Sequence, residues 1–353
     1  MLIIGCDFHP AFQQVAIFDK ETGEIVVRRL AHTEEALAFY RSVAGGALIG
    51  LESTGYSGWF ERAVEKMGHQ LWVGDATQIR ASITRKQKTD KRDAEHIVKL
   101  LLEDRFPKIW VPTEAERDTR QLLLHRDKLV RMRTLIKNQL QYLAMNQGLR
   151  LKWKLWTAAG QRDFTELEMN PHPADRRASL LRLLEQLEPE IQQLDRAVEQ
   201  EAERRPEAVR LMSHPGVGPV TSLAFVLTLG PPERFPGARQ VASYFGLIPS
   251  ERSTGGKQRL GHISKQGNAF MRFLLVEAGH TACRQDPELK RFYGHCKHTH
   301  QHAGVAKVAV ARKLAVRLYW MLRDRLDYPA LLRRRSHAGQ PESFRGRKFR
   351  PTA

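Results

Sequence analysis

The sequence predicts an α/β amino-terminal domain followed by a predominantly helical remainder, and three observations carry that expectation. Short apolar runs alternate with amphipathic stretches over residues 1–110. Between residues 114 and 205 leucines recur at spacings of three and four in a charged background. Over residues 206–330 apolar positions again fall at helical spacing, now divided by loops rich in glycine and proline. At 353 residues the chain exceeds one ordinary core, so two or three structural units are expected.

Residues 2–6 form a short apolar run suited to a buried strand. Residues 15–18 and 24–30 follow, divided by the turn Asp19-Lys20-Glu21-Thr22-Gly23, which suggests an antiparallel meander. Thr33 is placed to cap a helix with Glu34 and Glu35 in its first turn, where carboxylates suit the helix dipole. Residues 47–51 predict another buried strand, 59–67 a helix and 70–73 a strand. After a polar, basic stretch, 91–102 predict a further helix. Three strands, a helix, a strand, a helix, a strand and a helix is the order of a ribonuclease-H-like fold.

Residues 111–205 read as a helical, coiled-coil segment. Leu122, Leu129, Met132, Ile136 and Leu143 fall on a heptad seam interrupted by His125 and Gln139. Leu180, Leu184, Leu187, Ile191, Leu194 and Val198 keep the period more cleanly, with Pro189 expected to kink or restart the helix. Residues 153–173, with Gly160, Asn170 and two prolines, read as the crossover. A long antiparallel pair, an inter-subunit coiled coil and two helices packed on their own domain all satisfy this pattern. Residues 206–330 form a mainly helical carboxy-terminal domain, with helices over 270–282 and 305–322. Residues 331–353 read as a disordered basic tail that includes Arg333, Arg334, Arg335, Arg345, Arg347, Lys348 and Arg350.

Charge narrows the function. Lys and Arg number 57 against 39 Asp and Glu, a formal net charge of +18, which calls for a polyanionic partner, and nucleic acid is the usual one. The three cysteines, Cys6, Cys283 and Cys296, form no CxxC pair, which argues against a disulfide framework and a cysteine-rich zinc module. No secretory leader or membrane-length apolar run is seen, so a cytoplasmic protein is expected.

Carboxylates supply the candidate chemistry. Asp7 and Glu52 stand at the ends of buried runs, where an ionised group is costly unless a cation or solvent meets it. Asp90 and Asp93, three apart at the start of a predicted helix, share one face. Converging, the four make an oxygen-rich site for hard cations, most plausibly Mg²⁺, of the kind that serves phosphoryl transfer. Arg80, Arg85, Lys86, Lys88, Lys91 and Arg92 crowd the last pair, and Arg85, Lys86 and Lys88 are read as phosphate contacts.

Two further stretches suit DNA. In His214-Pro215-Gly216-Val217-Gly218-Pro219 a turn opens a helix, so backbone N–H groups near Gly216 and Gly218 can cradle a phosphate, as in a helix-hairpin-helix. Residues 250–268 form a loop rich in hydroxyls, glycines and cations, where Ser253 could attack a phosphodiester with Lys257, Arg259 and Lys265 beside it. Composition does not separate Ser253 from Ser250, Thr254 or Ser264, nor from a plain DNA-contacting loop. His295, Cys296, His298, His300 and His302 could bind a transition metal, although their spacing argues against structural zinc.

Taken in order, these motifs resemble those of the DEDD insertion-sequence transposases, the insertion-sequence one-ten family, some of which are bridge-RNA-guided recombinases of a serine type. Ile4-Gly5-Cys6-Asp7, Leu51-Glu52-Ser53-Thr54-Gly55 and Lys88-Thr89-Asp90-Lys91-Arg92-Asp93-Ala94 match the family's RuvC-like domain. Pro215-Gly216-Val217-Gly218, Phe245-Gly246-Leu247-Ile248-Pro249 and Gly261-His262-Ile263-Ser264-Lys265-Gln266-Gly267-Asn268 match its carboxy-terminal transposase domain. The resemblance implies Mg²⁺ at Asp7, Glu52, Asp90 and Asp93, and a covalent phosphoserine on Ser253, with Thr254 the rival because Ser-Thr-Gly-Gly departs from the usual Ser-Gly or Ser-Ser-Gly step. It further implies donor and target DNA, a noncoding bridge RNA, and homodimers that pair into a homotetramer with active sites shared between protomers. A Holliday-junction-type nuclease using activated water, and a nucleic-acid-binding protein without catalysis, are the alternatives.

Overall fold

The structure is a computed structural model and describes residues 1–83, 89–148, 155–254 and 259–337. It divides into two compact units, Met1–Val111 and Pro112–Ala353.

The first unit is built on a five-stranded sheet. β1 (Leu2–Phe8), β2 (Phe12–Asp19) and β3 (Ile25–Ala31) form an antiparallel meander, while β4 (Ala47–Glu52) and β5 (Gln70–Gly74) add in parallel beyond β1, giving the order β3-β2-β1-β4-β5. The helices are α1 (Glu34–Ser42), α2 (Gly58–Lys66), the short α3 (Ala76–Ala81) and α4 (Asp90–Leu102). This is the expected ribonuclease-H-like order, with α3 as an addition.

Side-chain alternation along β1 assigns the helices to faces. Ile4, Cys6 and Phe8 join Ile49 and Leu51 in a core closed by Ala36 and Tyr40 of α1 and by Phe60 and Val64 of α2. Ile3 and Leu48 point the other way, towards Ile97, Leu100 and Leu101 of α4. Gly5 and Gly50 are register partners on that second face. A Cβ on Gly5 would stand 2.3 Å from the Ala94 carbonyl oxygen, and one on Gly50 would stand 2.8 Å from Leu101. The paired absence of side chains lets α4 lie directly on the sheet.

In the second unit α5 (Glu114–Asn146) opens with a capping box, in which Thr113 and Glu116 satisfy each other's backbone N–H groups. After α6 (Ala158–Glu166), α7 (Pro171–Glu203) returns antiparallel to α5 within the same chain. Three links establish the direction: Arg126 to Asp195 (2.6 Å), Arg133 to Glu188 (3.3 Å) and Arg176 to Gln139 (3.2 Å). Pro189 lies inside α7, which the structure assigns as one helix. The predicted crossover contains α6.

The heptad seam expected on α5 is corrected. Met132 is half exposed, whereas Leu123, Ile136, Leu140 and Leu143 are buried. The reason is that α5 has two partners: Ile136, Leu140 and Leu143 pack with Leu180, but Leu123 joins a core with Val198, Phe225 and Leu227. That shared core places 112–205 and the following helices in one unit.

The rest of the unit comprises α8 (Pro206–Met212), α9 (Pro219–Leu229), α10 (Ala238–Tyr244), the hairpin β6 (Pro249–Glu251) and β7 (Leu260–Ile263), then α11 (Ala269–Ala282), α12 (Pro287–His300), α13 (Ala303–Arg323) and α14 (Tyr328–His337). The tail expected from residue 331 is helical as far as His337, because Leu331 is buried in the main core. Residues 338–353, with Arg345, Arg347, Lys348 and Arg350, lie outside the described residues. Among the described residues no helix is long and apolar enough to cross a membrane.

Candidate active site

Strand register and one helix N-terminus bring Asp7 and Asp90 together with Asp93 nearby, while Glu52 is not part of the same ligand cluster among the described residues. β1 and β4 are parallel, and the register Cys6 to Leu51 carries forward to Asp7 beside Glu52. Parallel partners on adjacent strands, about 4.8 Å apart, present their side chains to the same face. That face is the one covered by α4. Asp7 lies within β1, which runs on to Phe8 rather than ending earlier. Thr89 caps α4 by accepting from the Arg92 N–H, and Asp90 and Asp93 occupy its first turn, where the helix dipole favours negative charge.

The resulting geometry is centred on a residue not singled out from the sequence. His9 Nε2 lies 3.1 Å from Asp7 Oδ2 and 3.6 Å from Asp90 Oδ2. Ligand atoms of Asp7, His9 and Asp90 all fall within 4.8 Å of one another, and no other such group of His, Cys, Asp or Glu occurs among the described residues. Burial pushes the Asp7 carboxyl above its ordinary value; His9 opposes this, and Asp93 and Asp90 add to it. Asp93 is therefore close enough to act on Asp7 electrostatically. Glu52 Oε1 lies 4.0 Å from the Arg80 guanidinium. Neighbouring carboxylates, one of them held short of easy ionisation first by burial and then by its like-charged neighbours, suit a divalent cation. One turn along α4 from Asp93, His96 Nε2 sits 2.7 Å from Ser82 Oγ, and burial lowers the pKa of this imidazole.

Arg85, Lys86 and Lys88 lie outside the described residues, as does Lys257 in the second unit. There, β6 and β7 carry the predicted serine loop. Ser253 is exposed, and its Oγ donates to Glu251 Oε1 at 2.6 Å and accepts from the Arg259 N–H at 3.3 Å. Thr254 and Arg259 are also exposed. Lys265 is exposed, with left-handed backbone (φ 56°) and its N–H donating to the Gly246 carbonyl oxygen. Ser250 Oγ donates to the His262 carbonyl oxygen, and the Ser264 hydroxyl is buried. Geometry thus separates Ser253 from Ser250 and Ser264, because it alone of the three meets a carboxylate.

The hairpin between α8 and α9 divides its two glycines. Gly216 has φ 81° and packs on α11, where a Cβ would come within 2.6 Å of Ala278 and Ala282 backbone atoms. Gly218 caps α9 and faces open space. His295, His298 and His300 lie exposed on α12 and gather no metal-ligand cluster.

His9 and Glu251 were the residues sequence reasoning missed. Each stands two positions from a predicted site residue, Glu251 at the end of β6 and His9 just beyond β1.

Two family models match the chain. A transposase model of the DEDD IS110 type matches residues 4–145, and a model described as transposase, IS116/IS110/IS902 family, matches residues 208–294. Both matched segments are thus similar to insertion-sequence transposases of the IS110/IS116 type. It is 27% identical over 332 residues to a Pseudomonas aeruginosa protein named probable family 20 transposase, covering 91% of this chain and 96% of that one. It is 26% identical over 292 residues to the Coxiella burnetii transposase for insertion sequence element IS1111A, covering 80% and 78%. It is 24% identical over 331 residues to the Yersinia enterocolitica transposase for insertion sequence element IS1328, covering 91% and 96%. The first family model spans all four carboxylates and the second spans Ser253.

Proposed function

We propose that this chain is a transposase that cuts and rejoins DNA strands through a phosphoserine intermediate, with Mg²⁺ held by Asp7, Glu52, Asp90 and Asp93. The observation that carries the metal reading is the meeting of Asp7 and Asp90 about one imidazole nitrogen, with Asp93 near enough to raise the Asp7 pKa. A divalent cation bound there supplies charge neutralisation for phosphoryl transfer.

Ser253 is the nucleophile in this reading. Its Oγ forms a bond to phosphorus as the bond from phosphorus to the leaving deoxyribose oxygen breaks. The Oγ proton passes to Glu251, which stands within hydrogen-bond reach, and on to the leaving deoxyribose oxygen. A second DNA hydroxyl then attacks the phosphoserine, its proton passing through Glu251 to Ser253 Oγ as the phosphorus–Oγ bond breaks and the strand is rejoined. Arg259 and Lys265 offer positive charge to the phosphate, while Arg85, Lys86, Lys88 and the hairpin at Gly216 and Gly218 hold the DNA backbone. Selection of donor and target by a noncoding bridge RNA, and assembly as dimers that pair into a tetramer, come from the family resemblance; the net charge of +18 suits both nucleic acids.

Covalent trapping tests the proposal. The protein is incubated with labelled element ends, its flanking RNA and Mg²⁺, then quenched in denaturant. A labelled adduct that is absent from Ser253→Ala is the expected result. Cleavage without an adduct would instead indicate attack by activated water and reduce Ser253 to a DNA contact.

A further inference from the structure

We infer that His9 is a nitrogen ligand of the divalent cation, making the centre a mixed nitrogen and oxygen site that favours Mn²⁺ over Mg²⁺. The inference rests on reading the carboxylates as a metal site, and it adds a donor of a different chemical kind. His9 immediately follows β1, so the strand that presents Asp7 also fixes the backbone of His9. Its imidazole stacks on Phe12, with ring centroids 4.5 Å apart and planes 25° apart. The Arg29 guanidinium covers Phe12 at 3.8 Å. The ring is therefore held as a plate whose Nε2 edge faces the acids.

In the metal-free site His9 Nε2 and Asp7 Oδ2 lie at hydrogen-bond distance, and the same donor separations suit ligation of one ion. Two atoms each about 2.1 Å from one ion lie about 3.0 Å apart at the right angle of an octahedral site and about 3.6 Å apart at a distorted angle of about 120°. The Nε2 separations of 3.1 Å from Asp7 and 3.6 Å from Asp90 fall in that interval. An ion held by both carboxylates would therefore have this nitrogen beside it, since the three ligand atoms lie within 4.8 Å of one another. Nitrogen donors strengthen binding of later first-row cations relative to Mg²⁺, which prefers oxygen and keeps its water. The His9 ring is a third exposed, which leaves a path for the ion to enter.

The test is Mn²⁺ binding to the full chain followed by pulsed electron paramagnetic resonance, with histidine uniformly labelled with ¹⁵N. A ¹⁵N coupling in the wild type is expected. His9→Gln should remove that coupling and weaken Mn²⁺ binding by roughly tenfold or more, the scale set by metal-site partners, while changing Mg²⁺ binding less. Should His9→Gln fail to fold, His9→Asn makes the same assignment. Asp7→Asn serves as the control for location. Mn²⁺ binding that Asp7→Asn abolishes, with no histidine coupling or with a coupling that survives in the His9 variant, overturns the role of His9 and leaves the carboxylate site standing. No Mn²⁺ or Mg²⁺ binding by the wild type overturns the metal reading itself, and the inference with it.

Discussion

Gly5 and Gly50 stand side by side on neighbouring parallel strands, and α4 crosses both at a distance that a methyl group on either would close. This contact places the Asp90 and Asp93 end of α4 over the ends of the strands that carry Asp7 and Glu52. Two residues with no chemistry of their own therefore set the geometry of the carboxylates.

The two glycines differ in what they touch, so their alanine variants should differ. A Cβ at Gly5 meets the Ala94 carbonyl oxygen and the Val98 N–H, which are backbone, whereas one at Gly50 meets the ends of Leu101 and Ile97. Gly5→Ala is expected to cost about 1–3 kcal/mol in overpacking and to weaken metal binding, since α4 must move as a body. Gly50→Ala should cost less, because two leucine-sized side chains can shift. Urea unfolding together with Mn²⁺ titration of both variants checks the order; equal effects would remove the backbone contact as the cause.

Removing one carboxylate should separate stability from activity. Because the Asp7 pKa is raised above its usual 3.8, its folded form favours the proton, and stability present below that value is lost as pH rises through the raised pKa. Wherever Asp7 is ionised, the metal-free protein therefore carries an unfavourable charge that a bound cation would offset. Asp7→Asn or Asp90→Asn should abolish strand cleavage while leaving the melting temperature of the metal-free protein equal or higher. In wild type, Mg²⁺ or Mn²⁺ should raise the melting temperature and a chelator should reverse it; neither should act on Asp7→Asn.

Much of this site was legible in advance, for physical reasons. Asp7 and Glu52 were visible because a carboxylate at the end of an apolar run violates binary patterning, and Asp90 and Asp93 because their spacing of three matches a helix face. His9 was not, since a histidine in a strand-end turn breaks no rule and acquires meaning only when the first turn of α4 arrives beside it. The α5 seam was misread for a related reason. Heptad counting assumes one partner helix, but α5 turns Leu123 towards α9 and Leu140 towards α7, so its buried stripe changes direction along its length. Short helices such as α3, with six residues, leave too few periods to be seen.

Ser253 and Glu251 should act as a pair. Glu251→Gln keeps a hydrogen-bonding side chain but cannot accept the Ser253 proton with the same basicity. General-base removal typically lowers rate by about 10²–10⁴-fold, and adduct formation should slow on that scale while DNA binding stays unchanged. Ser253→Ala should abolish the adduct entirely. Both residues are exposed, so neither change should shift the melting temperature appreciably. An unchanged rate of adduct formation in Glu251→Gln would leave the serine proton to another acceptor.

The buried polar centre of the second unit should make it acid-sensitive in two steps. His214 packs on Tyr328, with ring centroids 4.4 Å apart, and burial lowers its pKa to about 4 from 6.5. A folded pKa below the unfolded one means that stability is complete above pH 6.5 and is lost as pH falls towards 4, on the order of 3 kcal/mol in total. Asp286 acts lower on the scale. Burial would raise its pKa, but the Tyr328 hydroxyl at 2.6 Å, the Leu289 N–H at 2.9 Å and the Arg317 guanidinium outweigh it and bring it to about 2. Its contribution is present above 3.8 and disappears only as pH falls through about 2. Unfolding midpoints measured from pH 7 to pH 4.5 should therefore decline in wild type and lie nearly flat in His214→Gln, which starts lower because a packed ring is lost. Asp286→Ala should behave oppositely, losing about 3 kcal/mol at every pH in that range, because it leaves the buried Arg317 with Glu288 as its remaining carboxylate partner. A slope that persists in His214→Gln would assign the acid response to other groups.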